Sequence, residues 1–288
     1  MMRWISDIFA FIVALVLLTS CEKPVIEDNA NSGNGNVVLR FSADGTRSSI
    51  ANYFNRLNVQ LFDDTGAKVF DKVKTQQSGD SGFGSLSLDL SEGEYTVVAV
   101  GHSSKISATI KSPQQVTFTA SDGEKLTDTF CYCGSVSVSD DSPIAQECPM
   151  LRATAMVRFC FNDSEMPETF ARMVFDYSGG SANFNPTNLQ GITKSQQSES
   201  RPSVSSQEYA IYTFPYLSES GTLKITATAT TADGSSIRQR IFENVPVTRN
   251  RITTYTGTFF EEGDGHMQQS GISFTVNGEW DGEDCYEF

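Results

Sequence analysis

The cysteines are the residues of this 288-residue chain with the widest chemical repertoire, because a thiol can be acylated, oxidised or bound to a metal. Cys131 and Cys133 flank Tyr132, a spacing that places both sulfurs on one face of a strand. A zinc site would need further ligands, and neither a C-x-x-C pair nor clustered histidines supply them. The sequence therefore predicts no metal site. It leaves open free thiols or one or two disulfides among Cys131, Cys133, Cys148, Cys160 and Cys285.

Cys21 stands apart because it directly follows Leu18-Thr19-Ser20 and an apolar run at residues 8–18. That run is shorter than the roughly 20 residues that span a bilayer, and it fits the apolar core of a signal peptide. Leucine three places before a cysteine, with two small residues between, resembles the lipobox of bacterial lipoproteins. We predict that residues 1–20 are a signal peptide and that Cys21 becomes an N-terminus lipidated with palmitate or a similar chain. The alternative, a secretory signal with an incidental cysteine, also predicts export from the cytoplasm.

The sequence offers little for catalysis. His102 and His266 are far apart, and neither accompanies a G-x-S-x-G elbow or a zincin helix. The acidic run at residues 261–265 lacks the alternating oxygen ligands of a calcium loop, which favours a solvated hairpin. We predict no enzyme, no cofactor and no metal, although carboxylates for glycoside cleavage could come from distant strands. The net charge of −14 makes nucleic acid a poor partner, because phosphate would be repelled.

Residues 21–36 are rich in asparagine, glycine and acidic side chains and contain little to bury. This composition predicts a flexible tether between the lipid and the folded part of the chain. Glu22, Glu27 and Asp28 soon after the cysteine resemble the surface-export signals of some Gram-negative lipoproteins. We therefore expect a lipid-anchored, surface-exposed protein of the cell outer membrane.

From Val37 onward, apolar and polar residues alternate with a period of two, which predicts an all-β protein. Only residues 49–56 suggest a short helix in the first half. Seven or so strands in about 110 residues is the count of a β-sandwich. We therefore predict an N-terminal sandwich at residues 37–147. Its clearest strands lie at residues 37–42, 57–61, 86–90, 95–99, 116–119, 129–133 and 136–138.

A polar loop at residues 139–147 predicts a domain boundary, followed by a second sandwich at residues 148–288. The cleanest alternation of the chain, at residues 151–161, predicts one long strand. The polar insert at residues 179–207 predicts a loop. Residues 272–280 predict the last strand. Its apolar face would comprise Ile272, Phe274, Val276 and Trp280.

Several short motifs follow one another in a specific order. They are the lipobox at Cys21, Val38-Leu39-Arg40-Phe41, Leu57-Asn58-Val59-Gln60-Leu61-Phe62-Asp63, Gly93-Glu94-Tyr95-Thr96-Val97-Val98-Ala99, Leu151-Arg152-Ala153-Thr154-Ala155 and Val247-Thr248-Arg249-Asn250-Arg251. In this order they resemble the fimbrillin-type subunits of type V pili, in particular the lipoprotein anchor or minor subunits. The resemblance implies two tandem transthyretin-like β-sandwich domains. It also implies assembly by donor-strand exchange, in which a strand of one subunit completes the open sheet of its neighbour.

The resemblance further implies that the other fimbrial subunits are the partners. In stalk and tip subunits a protease cuts after an arginine that follows the first strand, whereas anchors stay uncut, and here Arg47 is the candidate cleavage residue. The short chain and tether favour the anchor, and a stalk or tip subunit cut after Arg47 is the alternative. Residues 272–280 are our candidate for the exchanged or groove-lining strand, because the glycine-containing stretch at residues 263–271 precedes them.

A surface glycan-binding lipoprotein would share the lipid, the sandwiches and the acidic surface. Such proteins bind sugars on exposed aromatic side chains, and Trp280 is the only tryptophan after the signal peptide. An aromatic platform built on it would be small, so the sequence favours the pilus subunit. A surface hydrolase has no motif to support it.

Overall fold

The computed structural model describes residues 35–43, 49–119, 126–139, 143–261, 268–273 and 280–288. Strands dominate this part of the chain, and its only helix is one 3-10 turn, Ile50–Asn52. The first nine strands are β1 (Val37–Ala43), β2 (Arg56–Phe62), β3 (Lys74–Gln77), β4 (Ser85–Leu88), β5 (Gly93–His102), β6 (Ala108–Ser112), β7 (Gln115–Phe118), β8 (Thr129–Val138) and β9 (Ile144–Arg152). The others are β10 (Ala155–Phe161), β11 (Arg172–Ser178), β12 (Asn183–Asn185), β13 (Gln190–Gly191), β14 (Gln196–Pro202), β15 (Glu208–Thr213), β16 (Ser220–Thr230), β17 (Ser236–Thr248), β18 (Ile252–Gly257), β19 (Gln268–Ser273) and β20 (Glu283–Glu287).

The first sandwich consists of two facing sets of strands. In one set β2 lies between β3 and β5, and β8 continues the sheet beyond β5, with all neighbours antiparallel. In the other set β1 lies between the antiparallel β4 and the parallel β9. A short ladder between β8 and β9 joins both sets into one continuous sheet of seven strands.

The second sandwich repeats this topology strand for strand. β11 lies between β14 and β16, and β17 continues the sheet beyond β16, again with all neighbours antiparallel. β10 lies between the antiparallel β15 and the parallel β18. Two strands are additional, because β20 runs parallel to β18 on its other side and β19 pairs antiparallel with β20. The predicted all-β fold of two tandem transthyretin-like sandwiches is therefore confirmed.

Each sandwich encloses its own apolar core. Leu39, Leu57 and Phe130 are fully buried in the first core. In the second, the ring centroid of Phe159 lies 5.1 Å from those of both Phe175 and Phe242. Burying a large apolar side chain contributes about 1.5–3 kcal/mol, so these alternating positions provide the main driving force for the strands.

A small separate sheet of four strands links the two halves of the chain. β6 and β7 form a hairpin, β7 pairs with β12, and β12 pairs with β13. The Phe214 ring stacks on Phe184 at 4.5 Å and on Phe118 at 6.0 Å between centroids. These rings belong to an apolar cluster that also covers the outer face of β5 at Val98 and Val100. The halves are thus joined by strand pairing and by shared apolar packing.

The long strand predicted at residues 151–161 is wrong, because β9 ends at Arg152 and β10 begins at Ala155. In the sequence the alternation continues across the break through Ala153 and Thr154, and a period of two does not reveal a change of partner strands. Residues 148–152 consequently pair within the first sandwich. The division into domains at residues 37–147 and 148–288 stays a prediction.

Two further expectations differ from the structure, and a third falls largely outside the described residues. The insert predicted as a loop at residues 179–207 contains β12, β13 and β14. The helix predicted near residues 49–56 is only the 3-10 turn. Part of the strand predicted at residues 272–280 falls in β19, and residues 274–279 lie outside the described residues.

Candidate functional site

The first strand, β1, fills a groove of its own sandwich. Its inward side chains are Val37, Leu39, Phe41 and Ala43. None of these is more than 6% exposed, because alternation places all four on the face that packs into the first core. Just before the strand, the Asn36 side chain donates to the Leu90 carbonyl at 2.7 Å and accepts from the Leu90 amide at 2.9 Å. The groove between β4 and β9 is therefore closed by the chain's own strand.

The strand β20 occupies the outer side of β18 in the second sandwich. The ring of Tyr286 stacks on that of Tyr255 at 4.9 Å between centroids, and the Phe288 amide donates to the Thr256 carbonyl at 3.1 Å. The Phe288 ring packs edge-on against Phe242 at 5.0 Å. In contrast to β1, no residue of β20 is fully buried. The apolar contacts of this segment thus come from the rings of Tyr286 and Phe288, whereas β1 contributes four core positions.

Two arginines bind the carboxylates of β20. Arg158 pairs with Glu283, whose carboxylate also accepts a hydrogen bond from the Thr254 hydroxyl. Arg251 lies 3.2 Å from Asp284. Burial acts to raise the pKa of Glu283, but the hydrogen bonds from Arg158 and Thr254 outweigh it and hold that pKa below its usual value. Charge pairing is therefore part of what keeps β20 in place.

Trp280 lies against a buried cation where the two sandwiches meet. The Arg152 guanidinium lies 4.1 Å from the centroid of Trp280 and 4.6 Å from that of Phe130. Its Nε donates to both oxygens of Asp128, at 2.9 and 3.0 Å, and its Nη1 donates to Asn250 at 2.7 Å. Burial raises the pKa of Asp128, and Arg152 opposes that rise. One face of Trp280 is thus covered by Arg152, which is only 3% exposed.

The segment that follows β18 begins at a fixed point. The Asp163 carboxylate accepts the backbone amides of residues 259–261 at 2.7, 2.7 and 3.1 Å. Arg238 and Arg240 donate to the carbonyls of the same three residues. The backbone is therefore held on both its donor and acceptor sides just before the chain continues toward β19.

A cleft of about 360 Å³ lies on the sheet formed by β11, β14 and β16. Its polar lining consists of Asp176, Ser178, Gln196, Gln197, Ser198, Lys224 and Thr226. Tyr177 also lines the cleft, but its ring is buried and its hydroxyl donates to Glu199 at 2.8 Å. The cleft therefore offers hydroxyl, amide and charged groups, and it does not present an aromatic face to a sugar ring.

The five cysteines that the structure describes are all free thiols. Cys131 and Cys148 are buried, and burial raises the pKa of Cys148 to about 12 and raises that of Cys131 as well. Such thiols are inert, because the thiolate is the reactive form. Within the described ranges no group of histidine, cysteine and acidic side chains could hold a metal ion. The same part of the chain contains no helix with the length and apolarity to span a bilayer.

Four of the predicted site residues lie outside the described residues. They are Cys21, Arg47, Phe274 and Val276. Ile272 belongs to β19, and Trp280 contacts Arg152. Sequence reasoning missed Arg152, Arg158 and Arg251 as the residues that hold the chain's last segment. The one sequence feature that could have indicated them is the presence of arginines in or beside strand-forming stretches of an acidic chain.

Comparison with known proteins gives one match that covers most of the chain. The family model of the fimbrillin-A associated anchor proteins Mfa1 and Mfa2 matches residues 21–284. No curated protein matches the sequence. The range of the family match extends from the predicted lipidation residue Cys21 into β20.

Several solved structures are similar to this chain at low sequence identity. The fimbrial anchor protein Mfa2 from Porphyromonas gingivalis is 16% identical, with 71% of this chain and 80% of that chain covered and a TM-score of 0.41. A candidate polysaccharide-binding protein from Bacteroides thetaiotaomicron is 12% identical, with coverages of 72% and 79% and a TM-score of 0.48. A candidate adhesin from Bacteroides ovatus is 11% identical, with coverages of 72% and 81% and a TM-score of 0.49.

Proposed function

Because the chain belongs to the family of fimbrillin-A associated anchor proteins, we propose that it attaches a fimbria to the outer membrane and so supports adhesion. In this proposal Cys21 carries the lipid, and residues 21–36 form the tether. Other fimbrial subunits are the partners, and a strand exchanged between subunits is the link. The role is structural and not enzymatic.

The observation that carries the proposal is β1 in its groove. A partner strand could enter between β4 and β9 only by expelling the four inward side chains of β1. An uncut anchor needs this arrangement, because its lipid and its first strand lie on the same segment of chain. A cut after Arg47 would instead separate both from the rest and open an apolar groove for a neighbour's strand.

We further propose that the C-terminal region supplies the exchanged strand. The candidate residues are Ile272, Phe274, Val276 and Trp280, together with the adjoining β20. β20 has no fully buried residue, and its carboxylates would regain water on leaving Arg158 and Arg251. A released segment could add to the sheet of a neighbouring subunit, where backbone pairing supplies affinity and alternate side chains supply specificity.

Mass spectrometry of the mature N-terminus tests the anchor role most directly. We expect a chain that starts at acylated Cys21, and a chain that starts at Ser48 would instead identify a stalk or tip subunit. The Cys21→Ala protein should lose fatty-acid labelling and should no longer sediment with membranes. A Cys21→Ala protein that is still labelled and still sediments would contradict the lipid anchor.

Deletion of residues 272–288 tests the proposed link. We expect pili to be released from cells while the shortened protein stays on the membrane, where an antibody and a protease-resistance assay confirm that it is folded. The matched control is Leu217→Ala, which alters an exposed side chain outside the proposed link. Pili that remain attached to cells carrying the folded deletion protein would exclude this segment as the link.

Glycan binding is the second candidate function, and the polar cleft at Asp176 and Lys224 is the observation that favours it. Titration of the purified protein with soluble polysaccharides would test it. Saturable binding that Asp176→Ala abolishes would support a glycan site. Equal signals from the wild type and the variant would exclude the cleft.

A further inference from the structure

In the first sandwich, the strand where the chain enters and the strand where it leaves are parallel neighbours. The chain enters at the N-terminal end of β1 and leaves at the C-terminal end of β9. Seven residue pairs hold these strands in register, from Val37↔Ile144 to Ala43↔Met150. Because parallel strands point the same way, the entry and exit points lie at opposite ends of one ladder.

The second sandwich has the same arrangement. The chain enters at β10, which pairs in parallel with β18 from Met156↔Ile252 to Phe161↔Gly257. β20 runs parallel to β18 in turn, from Ile252↔Glu283 to Thr256↔Glu287. The entry point at the start of β10 therefore lies at the opposite end of the ladder from the exit point, whether the chain is pulled at the end of β18 or at the end of β20.

This topology determines how tension acts on the backbone hydrogen bonds. A pull on opposite ends of a parallel pair slides one strand along the other, so all hydrogen bonds of the ladder must yield together. A pull on the same end separates the strands one hydrogen bond at a time, and single bonds are weak. We infer that each sandwich is a mechanical clamp, in which β1 against β9 and β10 against β18 resist end-to-end tension in shear. The inference deepens the proposed function, because an anchor is pulled at both ends.

Side chains oppose sliding in both ladders. In the first, Arg40 forms a salt bridge of 3.7 Å with Glu147, the residue it faces in register. A slip of one residue would also turn the inward face of β1 away from the core. In the second, Arg158 bonds the Thr254 hydroxyl of β18 and the Glu283 carboxylate of β20, so one side chain ties three strands together.

The two residues that connect the first ladder to the second are also held by hydrogen bonds. Only Ala153 and Thr154 separate β9 from β10, and both are buried. The Ala153 amide donates to the Thr129 carbonyl at 2.8 Å, and the Asn250 amide donates to the Thr154 carbonyl at 2.9 Å. The Thr154 hydroxyl donates to Asp128 at 3.1 Å. Tension thus passes from one ladder to the next through bonded backbone.

Single-molecule force spectroscopy on the purified mature chain tests the clamp. One preparation carries handles before residue 21 and after Phe288, which load the ladders in shear. The other carries its second handle beside Pro143, so that β1 and β9 are pulled at the same end. We expect a severalfold higher rupture force in the end-to-end geometry at the same loading rate. Equal forces in the two geometries would overturn the inference.

A matched pair of variants separates the clamp from ordinary core stability. Leu39 in β1 and Leu61 in β2 are both fully buried in the first core, but only Leu39 belongs to the loaded ladder. Both alanine variants should lose similar equilibrium stability, whereas only Leu39→Ala should lower the end-to-end rupture force of the first sandwich. An equal loss of force in both would contradict the clamp. Since no pilus enters the measurement, its failure would leave fimbrial attachment untouched, and a failed pilus-release test would leave the clamp intact.

Discussion

The substitution Leu39→Ala tests whether β1 is an integral strand of the first sandwich. Leu39 is 0% exposed and packs in the first core, beside β4 on one side and β9 on the other. Truncating a buried leucine to alanine costs about 2–5 kcal/mol, because transfer energy is lost and a cavity is left. This is a large share of the roughly 5–15 kcal/mol that stabilises a typical native protein.

The assay is equilibrium unfolding in urea, followed by circular dichroism. With a slope of about 2 kcal/mol per M, the midpoint of the first sandwich should fall by roughly 1–2.5 M in Leu39→Ala. The matched control is Val38→Ala, which lies on the opposite, half-buried face of the same strand and should cost only about 0.5 kcal/mol. Equal midpoint shifts in the two variants would refute the claim that the inward face of β1 completes the core.

Three further predictions concern ionisable groups. Burial lowers the pKa of His102 to about 4 from 6.5, so its contribution to stability is complete above pH 6.5 and falls by about 3 kcal/mol as the pH drops to 4. Urea titrations at several pH values should show a flatter dependence in His102→Gln, and an unchanged slope would contradict this account. Arg152→Met should lower the free energy of unfolding by about 3–5 kcal/mol, because the buried Asp128 loses its partner. It should also shift Trp280 fluorescence to the red, because the guanidinium no longer covers that ring. Adding Asp128→Asn should restore part of the lost stability. Glu283→Gln should speed hydrogen exchange of the β20 amides at neutral pH, because the ion pair with Arg158 is lost. Since the pKa of Glu283 is lowered in the fold, the difference in exchange rate between wild type and variant should vanish well below pH 4.5. A rate difference that persists there would argue against the ion pair.

The sequence predicted the fold where a strand has one apolar and one polar face. β1 was found from alternation alone, because it lays one face on a core. Alternation also indicated strand at residues 155–161, but it did not show that β10 begins there as a separate strand. The strands β12 and β13 were missed because they are very short and pair through the edge that β7 offers from the other half of the chain. Such strands depend on a distant partner more than on their own composition.

The residues that hold the end of the chain could not be predicted for a related reason. Arg152 and Arg158 stand on the polar face of an alternating stretch, where a solvated position is the ordinary expectation. Their partners are remote in sequence: Asp128 lies 24 residues from Arg152, and Asn250 lies 98 residues from it. A period of two describes which face a side chain occupies, and it carries no information about what another strand brings to that face.

The contrast between the two terminal strands gives a physical reason for the proposed direction of exchange. β1 contributes four buried apolar side chains, and its removal would expose both those side chains and the groove that they fill. β20 presents carboxylates at Glu283 and Asp284, and these regain hydration when they leave their arginines, which offsets much of the lost attraction. From these contacts we expect the free-energy cost of vacating β20 to be lower than that of vacating β1. Retaining β1 while offering β20 is the polarity that the proposed anchor role requires.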